Sequence, residues 1–136
     1  MNFKPIIIVA GEPNSIFLEI FFKSIKSNTY LSPLILICSY KLLVLQMKKL
    51  NFKKKIKLID CNNLYKNQLD NKSINLINIE YKAHKAFEKI SKKSNIYIKN
   101  CFNMAFKIIK TGITNRLING PVSKKQFLDK KFLGIT

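Results

Sequence analysis

Residues 4–15 read KPIIIVAGEPNS, and this stretch decides the fold class. Its first part, residues 4–10, is a short continuous apolar run rich in β-branched side chains, which is typical of a strand buried on both faces of a parallel sheet. Gly11 and Pro13 end the run, and Ser15 is a residue type that caps the start of a helix. The stretch therefore predicts a buried strand, a tight turn and the beginning of a helix.

The rest of the chain repeats this alternation of strand and helix patterns. Further strands are predicted at residues 34–38, 55–60, 74–79 and 116–119. Helices are predicted at residues 16–26, 40–50, 83–90, 95–110 and 124–130, with a polar, Asn-rich loop at residues 61–73. The alternation predicts one α/β unit over residues 1–136, in which a mostly parallel sheet is flanked by helices.

Local signals predict where helices begin, where they end and which face they bury. The apolar positions of the first helix recur at helical spacing and predict a buried face made of Ile16, Ile20, Phe21 and Ile25. Ser39 is expected to cap the second helix through its hydroxyl group. Gly112 follows the long helix at residues 95–110 and is expected to end it.

The chain carries a formal net charge of +18, from 25 basic and 7 acidic residues. Such an excess of cations is a feature of proteins that bind nucleic acid or other polyanions. Arg116 is the single arginine, however, whereas base and phosphate recognition favours the arginine fork. Lys, Ile and Asn share A/T-rich codons and supply 60 of the 136 residues, so codon bias also explains the excess. We therefore expect exposed lysines and no specific nucleic-acid partner, with a small basic polyanion-binding protein as the alternative.

Several classes of protein are disfavoured by the sequence. No apolar run approaches the roughly 18 residues that cross a bilayer, and no signal-peptide core is present, so we expect a cytoplasmic protein without a membrane partner. Cys38, Cys61 and Cys101 are widely spaced and form no CxxC pair, which favours reduced thiols over disulfides or a zinc site. His84 is the single histidine and has no second ligand nearby, so no metal site is predicted.

Two loops follow predicted strands and lead into predicted helices, at residues 11–15 and 120–124. Because ligands of parallel α/β sheets gather at the carboxyl ends of the strands, we expect the functional residues here. Glu12 brings a carboxylate to the first loop, although an ordinary strand–helix turn would also tolerate it. Lys124 lies in the first turn of a predicted helix, where the helix dipole disfavours a cation. A lysine is tolerated there if it pairs with an anion such as a ligand phosphate or carboxylate. An exposed lysine with no ligand is the alternative.

The two loops carry motifs that resemble those of a known enzyme family. The segment VAGEPNSIFLEI, residues 9–20, resembles the opening T-x-G-E-P-A-G-I-G-P-E-I of the 4-hydroxythreonine-4-phosphate dehydrogenases. The segment LINGPVSKKQFLDKKFLGIT, residues 117–136, resembles the T-G-P-V/I-x-K of that family, followed after a short helix by G-H-T-E. The resemblance implies active-site loops at Gly11, Glu12, Pro13, Gly120 and Pro121. It implies substrate-binding positions at Lys124, Ile135 and Thr136, and Ile135 stands where the family has a histidine.

The resemblance also implies a fold and a reaction. The fold would be that of the isocitrate and isopropylmalate dehydrogenases, and incomplete, with residues 1–136 as the N-terminal part of a longer chain. The reaction would be the NAD- or NADP-dependent oxidation of 4-phosphooxy-L-threonine, followed by decarboxylation to 3-amino-2-oxopropyl phosphate, in pyridoxal phosphate biosynthesis. Full-length members form homodimers with a divalent metal at the subunit interface. We expect this segment alone to hold neither cofactor nor metal and to be inactive.

Overall fold

A computed structural model of the chain describes residues 3–66, 69–81 and 92–122. The strands are β1 (Ile6–Val9), β2 (Leu34–Cys38), β3 (Ile56–Leu58), β4 (Ile74–Asn78) and β5 (Leu117–Asn119). The α-helices are α1 (Phe17–Ser27), α2 (Tyr40–Lys49) and α3 (Lys92–Lys110), and a 3-10 helix covers Cys61–Lys66.

The five strands form one sheet in the order β3-β4-β2-β1-β5. Every pair of neighbouring strands is parallel, which confirms the predicted α/β fold with its mostly parallel sheet. The strand β1 lies between β2 and β5, with Ile7 opposite Ile35 on one side and Leu117 on the other. The carboxyl ends of β1 and β5 are therefore neighbours at one edge of the sheet.

Burial explains why the central strands read as continuous apolar runs. All five residues of β2 are buried, which requires cover on both faces of the sheet. The helix α3 packs against β1 and β2, and α1 contacts α2. The helix α3 buries its apolar face in this core, since Ile98, Cys101, Ala105 and Ile108 are all buried.

The face predicted for the first helix is right at Phe21 and Ile25, which pack on the core, and wrong at Ile16 and Ile20. Ile16 and Ile20 are 60% and 53% exposed, whereas the buried residues of α1 are Leu18, Phe21 and Phe22. Phe22 stacks on Phe52 with ring centroids 4.6 Å apart. Leu18 and Phe22 were not in the predicted face, and burying the large Phe22 ring turns the helix so that Ile16 and Ile20 face outward.

Other local predictions are partly confirmed. Ser39 caps α2, since its Oγ accepts a hydrogen bond from the backbone N of Leu42, and Gly112 follows α3 with φ of +84°. The loop predicted for residues 61–73 is wrong in its first half, which is the 3-10 helix. The Oγ of Ser15 accepts from the backbone N of Phe17, but the residue at the cap position of α1 is Ile16.

Two predicted helices, at residues 83–90 and 124–130, lie outside the described residues. Within the described ranges, no helix combines the length and apolar character that crossing a membrane requires.

Candidate functional site

The two loops singled out by the sequence meet at the carboxyl edge of the sheet. The backbone N–H of Glu12 donates to the carbonyl oxygen of Pro121 at 2.8 Å, and the N–H of Gly120 donates to the carbonyl oxygen of Val9 at 2.7 Å. These bonds join the turn after β1 to the turn after β5. The structure thus brings together Gly11, Glu12, Pro13, Gly120 and Pro121. Lys124, Ile135 and Thr136 lie outside the described residues.

Glycine is required on both sides of this contact. A Cβ atom added to Gly11 would lie 2.5 Å from the carbonyl oxygen of Pro121. A Cβ atom added to Gly120 would lie 2.2 Å from the carbonyl oxygen of Ala10 and 2.7 Å from Cγ of Phe17. Gly11 also has φ of +77°, a backbone conformation that other residues adopt at a cost. The two backbones can therefore approach this closely because neither glycine carries a side chain.

The first turn is held in shape by hydrogen bonds from its own residues and from α2. The backbone N and the Oγ of Ser15 both donate to the carbonyl oxygen of Glu12, at 3.2 and 2.9 Å. The Nε2 of Gln46 donates to the carbonyl oxygen of Pro13 at 3.1 Å, from a fully buried position. Gln46 thus holds the first turn in place from α2 and acts as a positioning residue for that turn.

Sequence reasoning missed Gln46, although a signal was present. Gln46 shares the buried face of α2 with Leu42, Leu43 and Met47. An amide among apolar residues on a core-facing stripe needs a hydrogen-bond partner inside the protein, because an unpaired buried polar group is unfavourable. That requirement could have flagged the position, but its partner on the distant turn depends on how α2 packs.

Glu12 supplies a carboxylate at the point where the turns join, and its side chain is 6% exposed. The helix α1 begins a few residues later, and its N-terminal end carries partial positive charge that favours anions. The site therefore offers an acceptor for a cationic group beside a helix end that favours an anionic one. An amino acid that carries an anionic substituent has both kinds of group.

A buried polar cluster lies behind the end of β2, next to this site. The backbone N of Ser39 donates to the hydroxyl oxygen of Tyr97 at 2.8 Å, and Tyr97 packs on Tyr81 with ring centroids 4.9 Å apart. Burial raises the pKa of the Cys38 thiol and of the Tyr97 hydroxyl, and it raises the pKa of Cys101 to about 12. These thiols therefore stay protonated near neutral pH and support the fold rather than act as nucleophiles.

The three cysteines are free, as the sequence predicted. A metal site is a separate question, and the described part of the chain contains no group of three His, Cys, Asp or Glu residues that could hold an ion. His84 lies outside that part. The first turn, AGEPNS, also lacks the glycine pattern that cradles a dinucleotide.

Solved structures share this fold, an all-parallel α/β sheet with flanking helices. The 4-hydroxythreonine-4-phosphate dehydrogenase from Burkholderia phymatum matches over 99% of this chain with a TM-score of 0.78 and 16% identity. The enzyme of the same name from Klebsiella pneumoniae matches over 98% with a TM-score of 0.75 and 18% identity.

This chain spans 42% of the length of each of these two enzymes. No model of a protein family matches the chain, and a search of curated proteins finds no match. At 16% and 18% identity, the likeness establishes the fold, and it confirms the dehydrogenase-like sheet expected from the two motifs.

Proposed function

We propose that this chain is the N-terminal, substrate-binding part of a dehydrogenase that oxidises 4-phosphooxy-L-threonine. The observation that carries the proposal is the contact between the two turns. Each turn contains one of the two motifs, and the backbone N–H of Glu12 bonds directly to the carbonyl oxygen of Pro121. The likeness of the whole fold to 4-hydroxythreonine-4-phosphate dehydrogenases supports the same reading.

The residues of the turns receive distinct roles in this proposal. Glu12 accepts a hydrogen bond from the ammonium group of the substrate, because a buried carboxylate is a strong acceptor for a charged donor. Gly11 and Gly120 let the two backbones close around the ligand. By their positions in the second motif, Lys124 and Thr136 bind the anionic end of the substrate. Ile135 cannot form a hydrogen bond, so the contact made by the histidine of the family is lost here.

The reaction assigned to the complete enzyme is oxidation by NAD or NADP, followed by loss of carbon dioxide, which gives 3-amino-2-oxopropyl phosphate for pyridoxal phosphate synthesis. When bound, the nicotinamide cofactor accepts the hydride, and a divalent metal polarises the substrate oxygen. Neither group is assigned to residues of this segment, which we propose to be inactive in the oxidation when alone. A homodimer and a cytoplasmic location belong to the same proposal.

Calorimetry tests the binding role without relying on catalysis. The chain should bind 4-phosphooxy-L-threonine more tightly than L-threonine or inorganic phosphate, since the site needs both ends of the ligand. Glu12→Gln should weaken binding about 10- to 100-fold, the loss expected for a hydrogen bond to a charged group. Glu80→Gln is the matched control, because Glu80 is an exposed acid just after β4, and it should leave the affinity unchanged.

Two results would contradict the proposal. One is equal affinity for phosphorylated and unphosphorylated ligands. The other is an equal loss of affinity in the Glu12 and Glu80 variants. A parallel assay of nicotinamide reduction at 340 nm, with substrate, NADP and Mg²⁺, checks the second part of the proposal. Turnover by this segment alone would show that its proposed inactivity is wrong while leaving the binding role intact.

A further inference from the structure

The two edges of the sheet differ sharply in charge. In a parallel α/β fold the helices run opposite to the strands, so strand starts and helix ends share one edge. Of the acidic residues in the described ranges, Asp70 precedes a strand at that edge. The others follow strands or begin a helix at the opposite edge, and they are Glu12, Glu19, Asp60 and Glu80.

Cations dominate the edge where strands begin, which we call the basic edge. They lie either just before a strand or in the last turn of a helix. The set comprises Lys4, Lys26, Lys48, Lys49, Lys53, Lys54, Lys55, Lys72, Lys107, Lys110 and Arg116. Lys54 is half-buried and the other ten are exposed. The ion pair between Lys23 and Glu19 lies within α1 before its last turn, and it leaves the eleven cations of this edge without an acidic partner from that helix.

Helix dipoles explain only part of this arrangement. Lysines in the last turn of a helix are favourable beside its negative end. No such effect applies to residues 53–55, three consecutive lysines that precede the edge strand β3. Mutual repulsion among close cations disfavours such a cluster unless an anionic partner offsets it.

We propose that the basic edge binds the phosphodiester backbone of double-helical nucleic acid without reading its sequence. Five strands about 4.8 Å apart make this edge about 19 Å long. A duplex presents one negative charge per roughly 1.7 Å, or about eleven charges over that length. Lysine is a point charge without the fork that reads base edges, so recognition rests on phosphates alone. The site lies opposite the substrate turns and is independent of the proposed enzyme function.

A membrane surface fits the same edge less well. Phe3 and Leu31, which are 40% and 74% exposed, precede strands at this edge, and Phe106, which is 50% exposed, adjoins the last turn of α3. These scattered apolar groups among eleven cations leave electrostatic attraction dominant, which favours the partner with the highest charge density.

A recess on the same edge offers a place for one phosphate group. It has a volume of about 170 Å³ and lies between the end of α1 and the starts of β2 and β4. Lys54, Thr29 and Ser73 contribute hydrogen-bond donors to its lining. Lys54 therefore belongs to both the lysine cluster and the recess, and a substitution there should affect both.

Fluorescence anisotropy with a mixed-sequence 20-base-pair DNA duplex tests the proposal across a salt series. If about five cations contact phosphates, the logarithm of affinity should fall with a slope of about −4.5 against the logarithm of salt concentration. The dissociation constant should then rise about 500-fold between 50 and 200 mM salt. An RNA duplex and a DNA duplex of another sequence should bind within about threefold, because the phosphate backbone is what all three share.

Two triple variants with the same change in net charge test the location. Substituting Lys53, Lys54 and Lys55 by Gln should reduce the slope by about 2.7 and the affinity at 100 mM salt more than 50-fold. The control substitutes Lys41, Lys92 and Lys99 by Gln, which lie in the first halves of α2 and α3, away from the basic edge, and should change affinity less than fivefold. Circular dichroism on both variants establishes that they are folded.

Four outcomes would overturn the proposal. They are equal losses in the two folded triple variants, no binding to the duplex at 50 mM salt, a strong preference for one base sequence, and loss of duplex binding in Leu31→Ser. Tighter binding to phosphatidylserine vesicles that depends on Leu31 would instead assign the basic edge to a membrane surface. Duplex binding that survives Leu31→Ser and is lost in the Lys53–Lys55 variant supports the proposal.

Discussion

Replacing the glycines of the two turns with alanine measures how closely the turns touch. Gly120→Ala places a methyl group 2.2 Å from the carbonyl oxygen of Ala10, and Gly11→Ala places one 2.5 Å from the carbonyl oxygen of Pro121. Gly112 is a matched control outside the site. Its φ of +84° resembles the +77° of Gly11, but an added Cβ would meet nothing within 4 Å.

The structure predicts a graded series of costs in the free energy of unfolding. Gly112→Ala should cost about 1–2 kcal/mol, from the left-handed backbone alone. Gly120→Ala should cost about 2–4 kcal/mol, because the methyl group overpacks the contact and weakens the hydrogen bond to Val9. Gly11→Ala combines the backbone cost and the clash and should cost about 3–5 kcal/mol. The atoms it meets are backbone atoms, which cannot rotate away as a side chain would.

Urea unfolding followed by circular dichroism provides the assay, with equal m-values as the condition for comparing midpoints. The double variant of Gly11 and Gly120 adds a test of mechanism. Once one methyl group has separated the turns, the second meets less resistance. The double variant should therefore lose at least about 1 kcal/mol less stability than the sum of the two single losses. For Gly112→Ala and Gly120→Ala, which lie apart, the loss in the double variant should equal the sum of the two single losses within about 0.5 kcal/mol. The reasoning is refuted if Gly120→Ala costs no more than Gly112→Ala, or if Gly11 and Gly120 act additively.

Three further predictions concern the support of the site. Gln46→Met removes the hydrogen bond to the first turn at similar side-chain volume. We expect the free energy of unfolding to fall by about 1 kcal/mol and amide hydrogen exchange in that turn to become faster. Unchanged exchange would argue against positioning by Gln46. Tyr97→Phe leaves the buried backbone N–H of Ser39 without its acceptor, and the free energy of unfolding in urea should fall by about 1–3 kcal/mol. An unchanged free energy of unfolding would show that this hydrogen bond does not stabilise the fold. Cys101 has its pKa raised to about 12 by burial, so the protonated thiol stabilises the fold fully below pH 9, and this contribution is lost as pH rises towards 12. Between pH 8 and pH 10 the native chain should therefore lose about 1.4 kcal/mol more stability than Cys101→Ala, and equal losses would show that the pKa is not raised.

Much of the fold could be predicted because its signals are local. The apolar runs of β1 and β2 are long enough for strands and too short for buried helices, and Ser39 and Gly112 mark helix ends by their chemistry. That both turns lie at one edge of the sheet could also be expected, since parallel strands end at one edge. Their direct contact could not, because the strand order that puts β5 beside β1 depends on contacts between distant segments.

The burial error in α1 and the missed role of Gln46 share one physical cause. Helical spacing marked Ile16 and Ile20 as buried together with Phe21, but the packing of Phe22 on Phe52 turns the buried face away from the two isoleucines. The partner of Gln46 likewise depends on how α2 sits above the first turn. Periodicity shows that a face is apolar, whereas competition between two apolar faces is decided by packing in three dimensions.

The most direct measurement is a titration of the ¹⁵N-labelled chain with 4-phosphooxy-L-threonine, followed by NMR. We expect saturable shifts of the backbone amide signals of Gly11, Glu12 and Gly120, with the amide of Gly112 unchanged. Signals at the turns that stay fixed up to millimolar ligand, or shifts confined to the opposite edge around Lys54, would contradict this expectation.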